Sequence, residues 1–225
     1  MKSPMYHITL SEEIKRLCPA FQGVAVMAQV TNSAHNAELW REIDAFTRAL
    51  SAGETAESIK QQPAIAATRE AYKRCGKAPS RYRPSAEALR RRLMRGLELY
   101  QFDTLVDLIN LVSLRTGYSI GGFDADKIQG DSLELGIGRA EEPFEGIGRG
   151  TLNIEGLPVY RDRAGGIGTP TSDNERTKMG LETRRILAIV NGYNGREGLA
   201  EAAGMIQELL RKYADSDGGT ILYFE

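Results

Sequence analysis

Apolar residues recur at helical spacing along most of the chain up to Gly117, and beyond it the pattern gives way to short β-leaning pieces between glycine-rich turns. Leu39, Trp40, Ile43, Phe46 and Leu50 mark one helix, from about Asn36 to Leu50, stopped by Ser51-Ala52-Gly53. Two helical stretches flank Pro63, the second running to Cys75-Gly76. Pro79 to Pro84 is a break, after which Ser85 is read as the cap of a helix with Leu89, Leu93 and Leu97 on its buried face. Asp103 caps the next, whose core stripe is Leu105, Leu108, Ile109 and Val112 and whose end is Gly117. Strand candidates are Tyr6 to Leu10 (followed by a Ser11-capped turn), Gly23 to Val30, Leu133 to Ile137, Thr151 to Ile154, Pro158 to Tyr160, Arg185 to Val190 and Thr220 to Phe224. A last helix spans about Arg196 to Tyr213. Without a regular βαβ alternation or an internal repeat, the order predicts an α+β fold with much antiparallel sheet.

At 225 residues, with 41% hydrophobic and 26% charged residues, the chain has ordinary globular composition. A chain this long buries roughly 70% of its unfolded surface, so it needs no disulfide or metal to hold together. Its longest apolar stretch, Gly23 to Val30, is far short of the ~20 residues of a membrane span. The opening Met-Lys-Ser-Pro-Met-Tyr-His turns polar at Ser11 and has neither an apolar h-region nor a cleavage site. Cys18 and Cys75 are too few for a disulfide framework or a zinc site and read as small buried hydrophobes, which points to a reducing cytoplasm.

Several chemistries are absent. Gly136-Ile-Gly138, Gly146-Ile-Gly148 and Gly166-Ile-Gly168 each lack the third glycine of a dinucleotide fingerprint and read as turns; no phosphate loop exists. Asp124-Ala-Asp126 begins like a calcium loop but meets Ile128 at the next ligand position. His7 and His35 both precede the informative middle, so a histidine relay or a zinc site is not expected. Neither a metal nor a cofactor is predicted.

Net charge is −1, yet the window Arg69 to Arg95 holds ten basic residues against Glu70 and Glu87, a net of +8 that leaves −9 elsewhere. With Tyr72 and Tyr82 interleaved, such a stretch suits a nucleic-acid backbone, and Arg81, Arg83, Arg90, Arg91 and Arg95 are the candidate RNA contacts. The competing reading is a set of solvated helix faces. A second polar concentration, Asp173-Asn174-Glu175-Arg176-Thr177, follows a Gly/Pro/Thr loop and suits a phosphate, a ribose or a carboxylate; a capped surface turn is the plainer account.

Pro84-Ser85-Ala86-Glu87-Ala88-Leu89-Arg90-Arg91, Leu105-Val106-Asp107-Leu108-Ile109-Asn110 and Ile120-Gly121-Gly122-Phe123-Asp124-Ala125-Asp126-Lys127-Ile128 fall in order. Together with Gly165-Gly166-Ile167 and Glu182-Thr183-Arg184-Arg185-Ile186-Leu187, they resemble the tRNA-binding and editing domain of the phenylalanyl-tRNA synthetase beta chain, the B-three/B-four domain. Arg81-Tyr82-Arg83-Pro84-Ser85 and Asp173-x-x-Arg176-Thr177 look closer to its free-standing members. The resemblance covers Pro79 to Tyr193, about half of the chain. It implies a layered α+β domain with mostly antiparallel sheets in an unusual sandwich flanked by helices. The expected organisation is a single domain over 1–225: an N-terminal strand and helix part (1–78), the segment resembling the editing domain (79–193), and a closing helix and strand (194–225).

In the synthetase that cleft hydrolyses wrongly charged Tyr-tRNA, with polar side chains and backbone amides rather than a metal. Here Gly121 stands where the family has histidine, Ile109 where it has threonine and Ile189 where it has glutamate, so the Tyr-specific reaction does not carry over. The pocket candidates are Asn110, the Gly121-Gly122 turn, Asp124, Asp173, Arg176, Thr177 and Thr183, expected around one cleft. Asp124 or Asp173 would serve as general base, or a water ordered by Thr177 and Arg176. The implied partner is tRNA or aminoacyl-tRNA, either bound only or deacylated in trans. The alternative is a small-molecule or amino-acid-binding protein, or a hydrolase, that reuses the cleft without RNA. No ATP site is present for aminoacylation.

Overall fold

The structure, a computed structural model, describes residues 6–51 and 53–225. The first five residues of the opening motif and Ala52 of the Ser51-Ala52-Gly53 stop therefore lie outside the described residues. In chain order the elements are β1 (His7–Leu10), α1 (Glu12–Leu17), β2 (Gln22–Gln29), α2 (Ala37–Ser51), α3 (Ala56–Gln61), α4 (Pro63–Arg74), α5 (Ser85–Met94) and α6 (Thr104–Thr116). There follow β3 (Ile120–Asp124), β4 (Ser132–Ile137), β5 (Glu145–Gly146), β6 (Gly150–Thr151), β7 (Pro158–Asp162), β8 (Gly165–Gly168), β9 (Arg185–Gly192), α7 (Leu199–Tyr213) and β10 (Thr220–Phe224).

Two four-stranded sheets and one short hairpin result. The first sheet runs β1-β4-β7-β8 and the second β10-β2-β9-β3, while β5 pairs with β6. Every pairing within these is antiparallel except that of β1 with β4. The apolar runs of β2 and β9 follow from their place: both are central strands buried on both faces, which removes the alternation an antiparallel strand otherwise shows. Val24, Val26, Ala28, Ile186, Ala188 and Val190 pack against α2, α6 and α7. Their neighbours Ala25, Met27, Leu187 and Ile189 face the other sheet, meeting Leu133, Leu135, Tyr160 and Ile167. The layers are thus helix, sheet and sheet, the sandwich expected. Among the described residues no helix is long and apolar enough to cross a membrane.

Helix α6 forms as the sequence predicts. Asp103 accepts from the Val106 N–H at 3.0 Å, the apolar stripe is buried, and Gly117 ends the helix at φ 78°, a left-handed conformation that costs glycine little. Ser11 likewise caps α1, accepting from the Ile14 N–H at 3.2 Å. Cys18 is buried and Cys75 half-buried; both are free, and their thiols are neighbours.

Helix α5 departs from expectation. Pro84, not Ser85, occupies the cap position, and the inward face carries Ala86, Glu87, Arg90 and Leu93. Leu97, read as core, lies beyond the helix and is 48% exposed. The leucine periodicity misleads here because Glu87 and Arg90 occupy the buried side, Glu87 neutralised by Arg69 and Arg91 and Arg90 by Glu54. Gly121-Gly122, read as a turn, lies within β3, and Gly136-Ile137 and Gly166-Ile-Gly168 lie within β4 and β8. Of the strand read at Thr151 to Ile154 only Thr151 lies in a strand, β6, and α7 starts at Leu199 rather than Arg196.

Candidate functional site

The loop from Thr169 to Asp173, between β8 and the 3₁₀ turn Glu175–Thr177, is the structural hub of the site. Its Pro170 carbonyl accepts from the Ser85 N–H that opens α5, at 2.8 Å. Thr171 shares a 2.8 Å hydrogen bond with the buried Tyr72 hydroxyl of α4. The Asp173 carbonyl accepts from Ile147 N–H in the β5–β6 hairpin at 3.0 Å, and its carboxylate accepts from Gly122 N–H in β3, also at 3.0 Å. Close approach is what the glycines permit. A methyl group on Gly168 would lie 2.7 Å from Asp173 Oδ1 and 2.6 Å from the Phe123 ring, and one on Gly122 would lie 2.8 Å from Met179.

These ties place Asp173 at the floor of a cleft of about 540 Å³. Its walls are largely apolar: Leu89 from α5, Val106 and Ile109 from α6, Ile120 from β3, and Met179. Asn110 also lines it, with a side-chain amide that has no hydrogen-bond partner among the described residues, while Arg92, Arg149 and Lys178 bring positive charge to the lining. Asp173 as a residue is half-buried, and its carboxyl is enclosed by protein. Burial pushes its pKa up to about 7, only partly opposed by the Gly122 N–H. At neutral pH it is present as both acid and base, the condition for proton transfer.

A second groove, of about 240 Å³, adjoins the cleft and shares Ala88, Arg92 and Arg149 with it. Arg81, Arg83, Arg91, Arg92, Arg95 and Arg149 line it, and no carboxylate does. The guanidinium groups of Arg83, Arg95 and Arg149 have no hydrogen-bond or ion-pair partner among the described residues; Arg81 only lies beside the Tyr82 ring.

The predicted residues therefore divide. Asn110, Gly122 and Asp173 line the cleft, and Gly121 sits against its floor, a Cβ there falling 3.4 Å from Asp173 Oδ1. The other four pocket candidates lie outside the lining. Arg176 makes two hydrogen bonds, 2.9 and 2.8 Å, to Asp162 of β7. Burial would raise the Asp162 pKa, but Arg176 and the N–H groups of Gln129 and Ala164 hold it below the usual range. Asp124 is buried and accepts from the Thr183 hydroxyl at 2.8 Å; Thr177 is buried beneath the loop. Of the groups expected as general base, Asp124, Asp173 or a water ordered by Thr177 and Arg176, only Asp173 lines the cleft. Of the three departures from the resembled family, Ile109 lines the cleft, Gly121 adjoins it, and Ile189 is buried between the sheets.

The basic window divides as well. Arg81, Arg83 and Arg95 are exposed. Arg90 is buried, paired with Glu54 and bonded to the Leu114 carbonyl, so it is not an RNA-facing group. Arg91 lines the groove but is held by Glu87 at 2.7 Å. Arg92 and Arg149 are additions. Arg92 sits in the basic run itself, and Arg149 lies in a glycine-flanked tip whose only sequence signal is a cation in an exposed turn.

Fold and site define a layered α+β domain with a ligand-sized cleft between its helices and a sheet edge. Residues 67–210 match the sequence model of the B3/4 domain, well over half of the chain, and the protein belongs to that family. Its structure is similar to that of an N-terminal fragment of the phenylalanyl-tRNA synthetase beta-subunit from Pyrococcus horikoshii, with a TM-score of 0.53 and 15% identity over 98% of this chain and 51% of that one. The chain thus spans about half the length of that fragment, and the likeness is one of fold. No curated protein sequence matches the chain.

Proposed function

We propose that the protein binds the charged end of a tRNA, with the aminoacyl group in the apolar cleft beside Asp173 and the phosphates along the arginine groove. The observation that carries this reading is continuity: cleft and groove share Ala88, Arg92 and Arg149, so one ligand with an apolar end and an anionic body fits both. Family membership and the likeness to a tRNA synthetase subunit support it. Where deacylation follows binding, Asp173 is the group placed to take a proton from water as it adds to the ester carbonyl. The proton then passes to the ribose oxygen as the acyl C–O bond breaks. The apolar walls favour an aliphatic or aromatic acyl group, and Ile109 in place of a hydroxyl leaves little to select a tyrosine over its neighbours.

Bulk tRNA in an electrophoretic shift assay at two salt concentrations tests the reading. Four phosphate contacts, through Arg81, Arg83, Arg95 and Arg149, give a log–log slope near −3, a loss of about 60-fold between about 50 and 200 mM salt. Arg95→Ser with Arg149→Ser should roughly halve that slope for every tRNA alike, since phosphate contacts do not read bases. Absence of binding at low salt, or affinity indifferent to salt, would leave the cleft as the site of a small apolar ligand instead.

A further inference from the structure

Between α5 and α6 the chain carries two aromatic side chains that the core does not take. Tyr100 is 62% exposed and Phe102 57%, and both line the mouth of the cleft. Scattered exposed apolar residues are ordinary, but two large rings side by side at the entrance of a site form a patch. The backbone at Phe102 and the ring of Tyr100 are anchored. Phe102 N–H donates to Asp107 Oδ1 at 3.1 Å, and Asp107 in turn accepts the Trp40 indole N–H at 2.7 Å. The Arg92 guanidinium lies 3.7 Å over the Tyr100 ring, and its Nε donates to the Glu98 carbonyl. The two rings stand 6.1 Å apart at 58°. With Arg92 against one face of Tyr100, the exposed area of that ring is its other face and its edge.

Arg92 belongs both to this aromatic pair and to the arginine groove. Exposed flat apolar faces beside unpaired guanidinium groups are the two halves of single-strand recognition, in which bases stack on rings while phosphates meet cations. A protein segment would bring its own mixture of charges to a groove that no carboxylate lines, whereas a polyanion matches it throughout.

We propose that Tyr100 and Phe102 form a stacking platform for the unpaired bases at the end of an RNA strand whose phosphates follow the arginine groove. The inference rests on the tRNA reading above and adds to it the contact that distinguishes an unpaired end from a duplex.

The test is fluorescence anisotropy with a labelled eight-nucleotide single-stranded RNA, a blunt RNA duplex and bulk tRNA. Both side chains are exposed, so their replacement leaves the core intact, which a thermal melt verifies. Tyr100→Ala with Phe102→Ala should weaken the single strand by about ten-fold or more with an unchanged salt slope, leaving the duplex unaffected. Tyr100→Phe should restore affinity, and Tyr100→Leu should not. Full affinity in the double variant, rescue by leucine, or equal losses for strand and duplex would each overturn the platform alone. No binding of tRNA or single strand by the wild-type chain would overturn the tRNA reading and the platform with it.

Discussion

Replacing Glu87 with alanine is expected to destabilise the fold by about 3–5 kcal/mol, the range for removing one partner of a buried ion pair. Glu87 is fully buried in α5, and its two carboxylate oxygens accept from different arginines, Arg69 of α4 at 2.8 Å and Arg91 at 2.7 Å. Both arginine side chains are only 13% exposed, so alanine leaves two desolvated cations facing each other without a counter-charge. Arg91→Ala should cost less, because Arg69 still neutralises the carboxylate. Urea unfolding measures both, read as a change of midpoint at constant m-value. A loss below about 1 kcal/mol for Glu87→Ala would show the cluster to be open to water, with the strength of a surface pair.

Asp173→Asn is expected to change two pH profiles at once. The folded-state pKa of about 7 lies above the ordinary aspartate value of about 3.9, so the folded chain holds this proton more tightly than the unfolded one. The sign follows: the stability linked to Asp173 is fully present below about pH 4 and is lost as pH rises to about 7, by up to about 1.4 kcal/mol per unit. The asparagine variant lacks that loss. Its stability should match the wild type more closely near pH 4 and exceed it near pH 8 in denaturant titrations at both values. If Asp173 also serves deacylation as a base, the rate relative to spontaneous ester hydrolysis should rise through about pH 7, and the variant should lose about 10²–10⁴-fold. A stability difference between variant and wild type that is the same at pH 4 and pH 8 would mean that the carboxyl is ordinarily solvated, and the proton-transfer role would fall with it.

The helical layer was legible wherever burial follows one period. In α6 the stripe, the cap and the terminal glycine all agree, and Thr220–Phe224 reads as a strand without any help from its surroundings. Legibility fails where burial is decided by pairing between distant residues. Nothing local says that Glu87 and Arg90 point inward, because their partners are Arg69, Arg91 and Glu54, and a leucine stripe offers a simpler face. Gly121-Gly122 has the chemistry of a turn. It is a strand because the Phe123 ring, Asp173 and Met179 occupy the space in which side chains would stand. The polar run from Asp173 to Thr177 looked like one cluster. Its 3₁₀ turn sends Arg176 to Asp162 and leaves only Asp173 in the cleft. The layered architecture itself was accessible through ordered motifs rather than through periodicity. Tyr100 and Phe102 gave no sequence signal beyond two rings ahead of a helix cap.

The order of the second sheet has a bearing on synthesis. Strand β2 finishes at residue 29, while its two neighbours are β9, starting at residue 185, and β10, in which Phe224 faces Gly23. A strand apolar on both faces therefore leaves the ribosome with both edges unpaired. At about 5–20 residues per second it waits roughly 8–30 s before β9 is made, and longer for β10. Its other face has no cover until β4 and β7 have formed the opposing sheet. Local helices can form at once, but β3, which carries Gly122, meets its partner strand only when β9 has been made, so this wall of the cleft forms after the helices α5 and α6 that face it.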